Sequence, residues 1–172
     1  FFNKFLISLN QIQFYDFKTT YLIGNEWWRL ITPIFIHFSP THLIFNSLWI
    51  YILGREIEQL DGKIIFIFLI LFTSISSNYL QYSFSGPSLF GGLSGVVYGL
   101  LGYCFVSETF LRINKFSFPP AIYIFMFVWL LIGFTGFLDL LGFGKIANFA
   151  HLGGLLSGIL SGYIFSMYNK KT

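Results

Sequence analysis

Ser94 stands where a glycine-rich stretch, Ser85-Gly86-Pro87-Ser88-Leu89-Phe90-Gly91-Gly92-Leu93, runs into an apolar segment that opens Gly95-Val96-Val97-Tyr98. A hydroxyl at such a join is a candidate nucleophile if a neutral imidazole takes its proton as it attacks a carbonyl. His151, near the start of the last apolar segment, is the candidate base. His42 and Asn46, four residues apart near the start of an earlier segment, share one face of a helix. With the Ser94 N–H at a helix N-terminus, they would donate to the oxyanion that acyl transfer develops. Such a donor is worth about 2.7–4 kcal/mol in soluble proteases.

The usual third partner, a carboxylate orienting the imidazole, has no candidate inside the apolar segments. Asp139 falls in a connection, and Glu56 and Glu58 lie at the opposite end of their segment. A Ser–His dyad is therefore expected, with Tyr98, one turn below Ser94, stacking on the His151 ring. Two stripes of small residues make the pairing plausible: Gly95, Gly99 and Gly102 on one segment, and Ala147, Gly154, Gly158 and Gly162 on the His151 segment. Such stripes let transmembrane helices approach closely.

Each feature also has a plainer reading. Glycine stripes are helix-packing devices far more often than they are catalytic. Gly92-Leu93-Ser94-Gly95-Val96 is not the Gly-x-Ser-x-Gly of hydrolase elbows, because Val96 replaces the second glycine. His151 and Asn46 taken singly could be hydrogen-bonded interior residues, His37 a structural loop residue and Cys104 a small packing residue. The common depth of Ser94, His151, His42 and Asn46 favours function, since strongly polar groups inside a bilayer are expensive.

That depth presupposes a membrane, and the composition supplies one. The 172 residues are 55% hydrophobic, 22% aromatic and 10% charged, with mean hydropathy +0.72. Soluble domains carry about 25% charged residues. The net charge of +3 is not gathered with aromatics into a patch, which removes the case for a nucleic-acid partner. A single cysteine excludes an internal disulfide and a Cys-rich metal site.

The elements follow in order. Residues 1–9 are apolar but short of the ~20 needed to cross a ~30 Å core, and read as the last turns of a truncated first span. Residues 10–40 read as a long outer loop dipping into the interface, with Trp27-Trp28-Arg29 as an anchor. Five spans are expected over 41–60, 64–82, 94–106, 119–137 and 147–167, the fourth opened by Pro119-Pro120. Loops are expected at 107–118, with Glu108, Arg112 and Lys115, and at 138–146, with Asp139. A helix over 94–106 is roughly 20 Å long, so the preceding loop is expected to descend and sink Ser94 below the surface. Arg55 and Lys63, Arg112 and Lys115, and Lys170 and Lys171 fall on alternate connections. The positive-inside rule then places the C-terminus in the cytoplasm and Ser94 toward the outside.

Taken together, Trp28-Arg29, His42-Leu43-Ile44-Phe45-Asn46, Ser85-Gly86-Pro87, Phe90-Gly91-Gly92-Leu93-Ser94-Gly95-Val96-Val97-Tyr98 and Ala150-His151 with Gly154 and Gly158 resemble the rhomboid intramembrane serine proteases of the bacterial GlpG type. The pieces come in the family's order over nearly the whole chain. The resemblance implies a single all-α polytopic domain over 1–172, a six-helix bundle with its first helix largely missing here and a short central helix bearing the nucleophile. It implies Ser94 as nucleophile, His151 as base, and an oxyanion hole from His42, Asn46 and the backbone at Gly91 and Ser94. Tyr98 would stack on His151, Trp28 and Arg29 would form a structural element braced by Glu58, and Phe45 with the 119–137 helix would border a lateral opening.

Substrates would be transmembrane protein helices, cut near their outer end after a small residue, and no metal or cofactor would be used. The location implied is the inner membrane, with lipid all round. Two other classes compete. One is a catalytically inactive relative that binds membrane clients, against which the presence of both Ser94 and His151 argues. The other is a small transporter, against which the lack of an internal repeat and of a mid-membrane acid argues.

Overall fold

The computed structural model describes residues 15–111, 115–116, 118–137 and 146–169. The expectations for residues 1–9, Arg112, Asp139 and the Lys170-Lys171 pair fall outside the described residues. The described residues open with a π-helical turn, Lys18–Ile23, and two 3-10 turns, Trp27–Leu30 and Thr32–Phe35. Among the described residues five α-helices follow: α1 Pro40–Asp61, α2 Lys63–Ser85, α3 Ser94–Leu111, α4 Pro120–Phe134 and α5 Asn148–Asn169.

Local chemistry sets most of these limits. Ser39 caps α1, its hydroxyl accepting the His42 N–H at 3.1 Å, and Pro40 starts the first turn, where its missing N–H costs nothing. Gly62, at φ +90, is the sole residue between α1 and α2. A side chain would resist that backbone angle, so glycine makes the reversal. The expected charged connection is thus helical almost to its end. Its Asp61 carboxylate forms a buried ion pair with Lys115, tying the end of α1 to the chain beyond α3.

α2 and α5 are long and apolar enough to cross a membrane, and α4 is a shorter apolar helix. The outward faces carry large apolar side chains, among them Ile64 at 85% exposure and Met167 at 65%, as a lipid-facing surface requires. α3 is the axis of the bundle. Val96, Val97, Leu100, Tyr103 and Cys104 are buried on its different sides, with α1, α2, α4 and α5 packed around it.

The tightest packing is between α3 and α5. A Cβ on Gly154 would land on the Gly95 carbonyl, and one on Gly158 on the Gly99 carbonyl. α2 packs against the same pair: Gly95 faces Ser77 and Gly99 faces Thr73. Hydroxyls in this region bond back within their own helices: Thr73 to the Leu69 carbonyl at 2.7 Å, and Ser157 to that of Gly153 at 2.8 Å. These hydroxyls are thereby not left bare in an apolar medium.

The expected end of α3 at Val106 is corrected. The helix runs 18 residues, or about 27 Å, close to the ~30 Å apolar core. It continues because Ser107 is buried and one Glu108 oxygen has a partner on another helix, accepting the Tyr123 hydroxyl at 2.6 Å. A short helix therefore does not set the depth of Ser94. The cover above it does: Gly92 N–H donates to the Pro33 carbonyl at 3.0 Å, and Gly91 lies against Ile36, so the 3-10 turns roof the loop that leads into α3.

Gly154→Val and Gly158→Val are each expected to destabilise the bundle by about 1–3 kcal/mol through overpacking against fixed backbone. Lipid-facing Leu156→Val should change little, since surface substitutions usually stay within about 0.5 kcal/mol. Unfolding of the three variants in mixed micelles checks the contrast.

Candidate active site

Ser94 is the first residue of α3, so its N–H has no partner within the helix. His151 is in the first turn of α5, and the backbone contact at Gly95 and Gly154 brings that turn to the start of α3. The Ser94 Oγ and His151 Nε2 lie 2.8 Å apart, a hydrogen bond. The imidazole is buried, whereas Ser94 is partly open. Serine and imidazole thus touch, and one side of the serine remains accessible.

No carboxylate hydrogen-bonds the His151 ring among the described residues. Packing orients it instead. The Tyr98 ring stacks on it with centroids 4.7 Å apart and planes inclined at 28°. The Tyr98 hydroxyl is itself fixed, donating to the Met126 carbonyl of α4 at 2.9 Å. The backbone just before His151 is held too: the Ala150 N–H donates to Gln81 Oε1 of α2 at 3.0 Å.

Opposite the dyad, Gly92 adopts φ +122. A Cβ there would lie 2.8 Å from both Cε1 and Nε2 of His42 and 3.5 Å from Asn46 Nδ2. His42 and Asn46 therefore face the backbone that leads into Ser94. Asn46 is buried, and its Nδ2 has no hydrogen-bond partner in the protein. A buried donor left unpaired in an apolar surrounding costs about 1–3 kcal/mol. Asn46 Nδ2 is a donor with unused capacity beside the Gly92 backbone.

Of the remaining expected residues, Gly91 packs against Ile36 and the Pro33 carbonyl, beneath the 3-10 turns. Trp28 is half exposed, as an interfacial anchor would be. Arg29 forms an ion pair with Glu26. Glu58 sits four residues before the Gly62 turn at the far end of α1, while the neighbouring Leu30 carbonyl is bound by Asn78 near the site end of α2. The expected Glu58 brace is therefore corrected: the local Glu26 takes the role, because a bundle's length separates Glu58 from the loop. Phe45 is 52% exposed and meets Trp49 edge-on.

Three residues gain roles that their sequence positions do not announce. Gln81 steadies the turn before His151. Asn148 donates to the Gly133 carbonyl at 2.7 Å, joining α5 to the end of α4. His37 stands edge-on to His42, with centroids 4.9 Å apart, and its Nε2 faces the Leu93 N–H. The spacing of Ser74, Ser77, Asn78 and Gln81 at three- and four-residue steps is the available signal for the first of these. It marks a polar stripe turned inward on α2.

A family model described as the Rhomboid domain matches residues 24–168. A Serratia proteamaculans protein named Rhomboid protease GlpG is 39% identical over 136 residues, 79% of this chain and 47% of its own length. The Haemophilus influenzae protein of the same name is 36% identical over 149 residues, 86% of this chain and 74% of that one. A Klebsiella pneumoniae protein, again so named, is 34% identical over 146 residues, 85% and 51% of the respective lengths. The chain spans about half the length of the Serratia and Klebsiella proteins.

Gly92→Ala tests the wall facing the dyad. Strain at its φ and collision with the His42 ring are expected to slow fluorophosphonate labelling of Ser94 about tenfold or more, as loss of an oxyanion donor would. A labelling rate equal to that of the parent protein would show that the wall does not matter.

Proposed function

This chain belongs to the rhomboid family of membrane proteins, and from that premise we propose that it is an intramembrane serine endopeptidase acting through a Ser94–His151 dyad. The observation that carries the reading is the 2.8 Å contact between Ser94 Oγ and His151 Nε2 beneath a partly open surface.

In the reactive tautomer His151 Nε2 accepts the Ser94 proton as Oγ bonds to the substrate carbonyl carbon. The carbonyl oxygen takes up the negative charge. Asn46 Nδ2, the His42 ring and the Ser94 N–H supply donors toward that position, the unpartnered Asn46 amide foremost. The imidazolium then protonates the leaving amine, and the C–N bond breaks. Water enters from the open side, gives a proton to His151 and hydrolyses the acyl-serine, which regenerates both groups. Stacking by Tyr98 serves where a carboxylate would otherwise orient the base.

The proposed substrates are transmembrane helices, cut near one end after a small residue and near residues that weaken the helix, since a peptide bond must unwind to reach Ser94. The proposed setting is the inner membrane, with the Ser94 end outward. Arg55, Lys63 and Lys115 at the opposite end of the bundle support that orientation.

Ser94→Ala and His151→Ala are each expected to abolish cleavage of a transmembrane reporter while the proteins stay folded. Asn46→Ala should lower kcat about 10²–10³-fold. Fluorophosphonate labelling blocked by Ser94→Ala gives the direct check; turnover retained in both dyad variants would sink the mechanism. A folded parent protein that binds the reporter, yet neither labels nor cuts it, would instead indicate a client-binding role. Membrane proteomics of wild type against Ser94→Ala would then name the clients.

A further inference from the structure

A cavity of about 420 Å3 opens between the first loop and the last turns of α2, lined by Asp16, Phe17, Tyr79, Tyr82 and Pro87 among others. Neither Ser94 nor His151 lines it. Its walls are ring faces. Phe17 stands 6.2 Å, centroid to centroid, from both Tyr79 and Tyr82, with planes at 86° and 57°. Rings set so steeply form a corner rather than a stack. Tyr21 and Trp27 back that corner, Tyr21 lying 4.7 Å from Phe17 and Trp27 lying 5.4 Å from Tyr21. The Tyr82 hydroxyl donates to the Tyr15 carbonyl at 2.6 Å, so its ring is fixed as well.

The rim carries charge of both signs. Asp16 accepts the Thr19 N–H at 2.8 Å, which holds the side chain in place. A carboxylate has about four acceptor sites, so capacity remains. Lys18 is close enough for its charge to act on Asp16. Ring faces with a carboxylate at their edge are the surroundings in which an ammonium group is most stable outside water. Packing alone would explain rings that fill the space between the loop and α2. It does not account for a space left between them with an acid at its mouth.

The face of α2 below the cavity says what would carry the ammonium. Phe68, Leu71, Ile75 and Tyr79 recur at steps of three and four, and all are exposed. From Tyr79 to Phe68 this apolar stripe runs roughly 17 Å, close to half of a ~30 Å apolar core. An acyl chain laid on the stripe reaches the bilayer midplane with its head at Tyr79. We propose that the cavity is a headgroup site for a zwitterionic phospholipid whose head ends in an ammonium. Asp16 and the faces of Phe17, Tyr79 and Tyr82 hold the ammonium, Lys18 supplies the cation for the phosphate, and the α2 stripe takes the chain. The site stands independently of the protease reading.

Native mass spectrometry of the whole chain in maltoside detergent tests it, with dioleoyl phosphatidylethanolamine and dioleoyl phosphatidylglycerol as probes. The two share their chains and differ in the ammonium. The parent protein should bind the ethanolamine lipid at least about fivefold more tightly. Asp16→Asn keeps the cap on Thr19 and removes the charge; Tyr79→Leu keeps apolar bulk and removes the ring. Each should weaken the ethanolamine lipid about two- to fivefold and leave the glycerol lipid unchanged. Tyr79→Phe keeps the ring face and should bind as the parent does.

Equal binding of the two lipids by the parent, or equal losses for both in the variants, would overturn the headgroup site and leave an ordinary lipid-facing surface. Displacement of lipid by a lysine-rich peptide, with no preference between the lipids, would overturn it in favour of a basic segment of another protein. If Tyr79→Leu does not fold, Asp16→Asn, an exposed substitution that retains the cap, decides the matter alone.

Discussion

The contact on which the structure depends is backbone against backbone: Gly154 on the Gly95 carbonyl and Gly158 on the Gly99 carbonyl. In a bilayer no hydrophobic drive pulls apolar helices together, because lipid is as apolar as they are. Close approach replaces it, through dispersion between surfaces that fit. α2 packs on the same pair, the α3 glycines meeting Ser77 and Thr73 and Gly153 of α5 meeting the Ser76 carbonyl. The three mutually packed helices α2, α3 and α5 then fix the first turns of α3 and α5 relative to each other. The hydrogen bond between Ser94 and His151 follows from that placement.

A second constraint explains which groups stay polar. Inside the bundle nearly every hydroxyl is satisfied by its own helix, as Thr73, Ser77, Ser157 and Ser161 are. Amides bridge elements instead: Asn78 to Leu30, Gln81 to Ala150 and Asn148 to Gly133. Among the described residues the buried side-chain atoms without a partner are Asn46 Nδ2, Trp49 Nε1, Asp61 Oδ2, Glu108 Oε1 and Asn148 Oδ1, and of these Asn46 Nδ2 faces Gly92. A group unsatisfied at rest and facing the proposed nucleophile's loop gains a partner only when an acceptor enters. On the proposed mechanism, its cost in the resting state would make its interaction with a developing oxyanion differential, which is what lowers a barrier.

The proposed base, His151, is held by a ring face rather than by a charge. A buried carboxylate next to His151 would carry a heavy desolvation cost at membrane depth. Tyr98 orients the imidazole without adding a formal charge, and its hydroxyl finds a carbonyl on α4. The roof over the loop is likewise neutral, made by the Pro33 carbonyl and the Ile36 side chain. Charged pairing is kept to the edges, at Arg29 with Glu26 in the first loop and at Lys115 with Asp61 at the far end.

Much of this was written in the chain itself. Apolar runs punctuated by Pro40, Gly62, Gly86 and Pro120 define the helices, because those residues fix or free the backbone wherever they stand. The small-residue stripes foretell the α3–α5 contact, and the shared depth of Ser94, His151, His42 and Asn46 foretells the cluster. Other features were out of reach of local pattern. The end of α3 moved from Val106 to Leu111, where Tyr123, on another helix, donates to one oxygen of Glu108. Arg29 took Glu26 over Glu58 because the bundle sets Glu58 at its other end. The link from Tyr98 to Met126 and the support of Ala150 by Gln81 join residues far apart in sequence. Periodicity determines which face of a helix turns inward. What that face meets is decided when the helices pack, since a side chain's partner comes from another helix whose height and rotation only the assembled bundle sets.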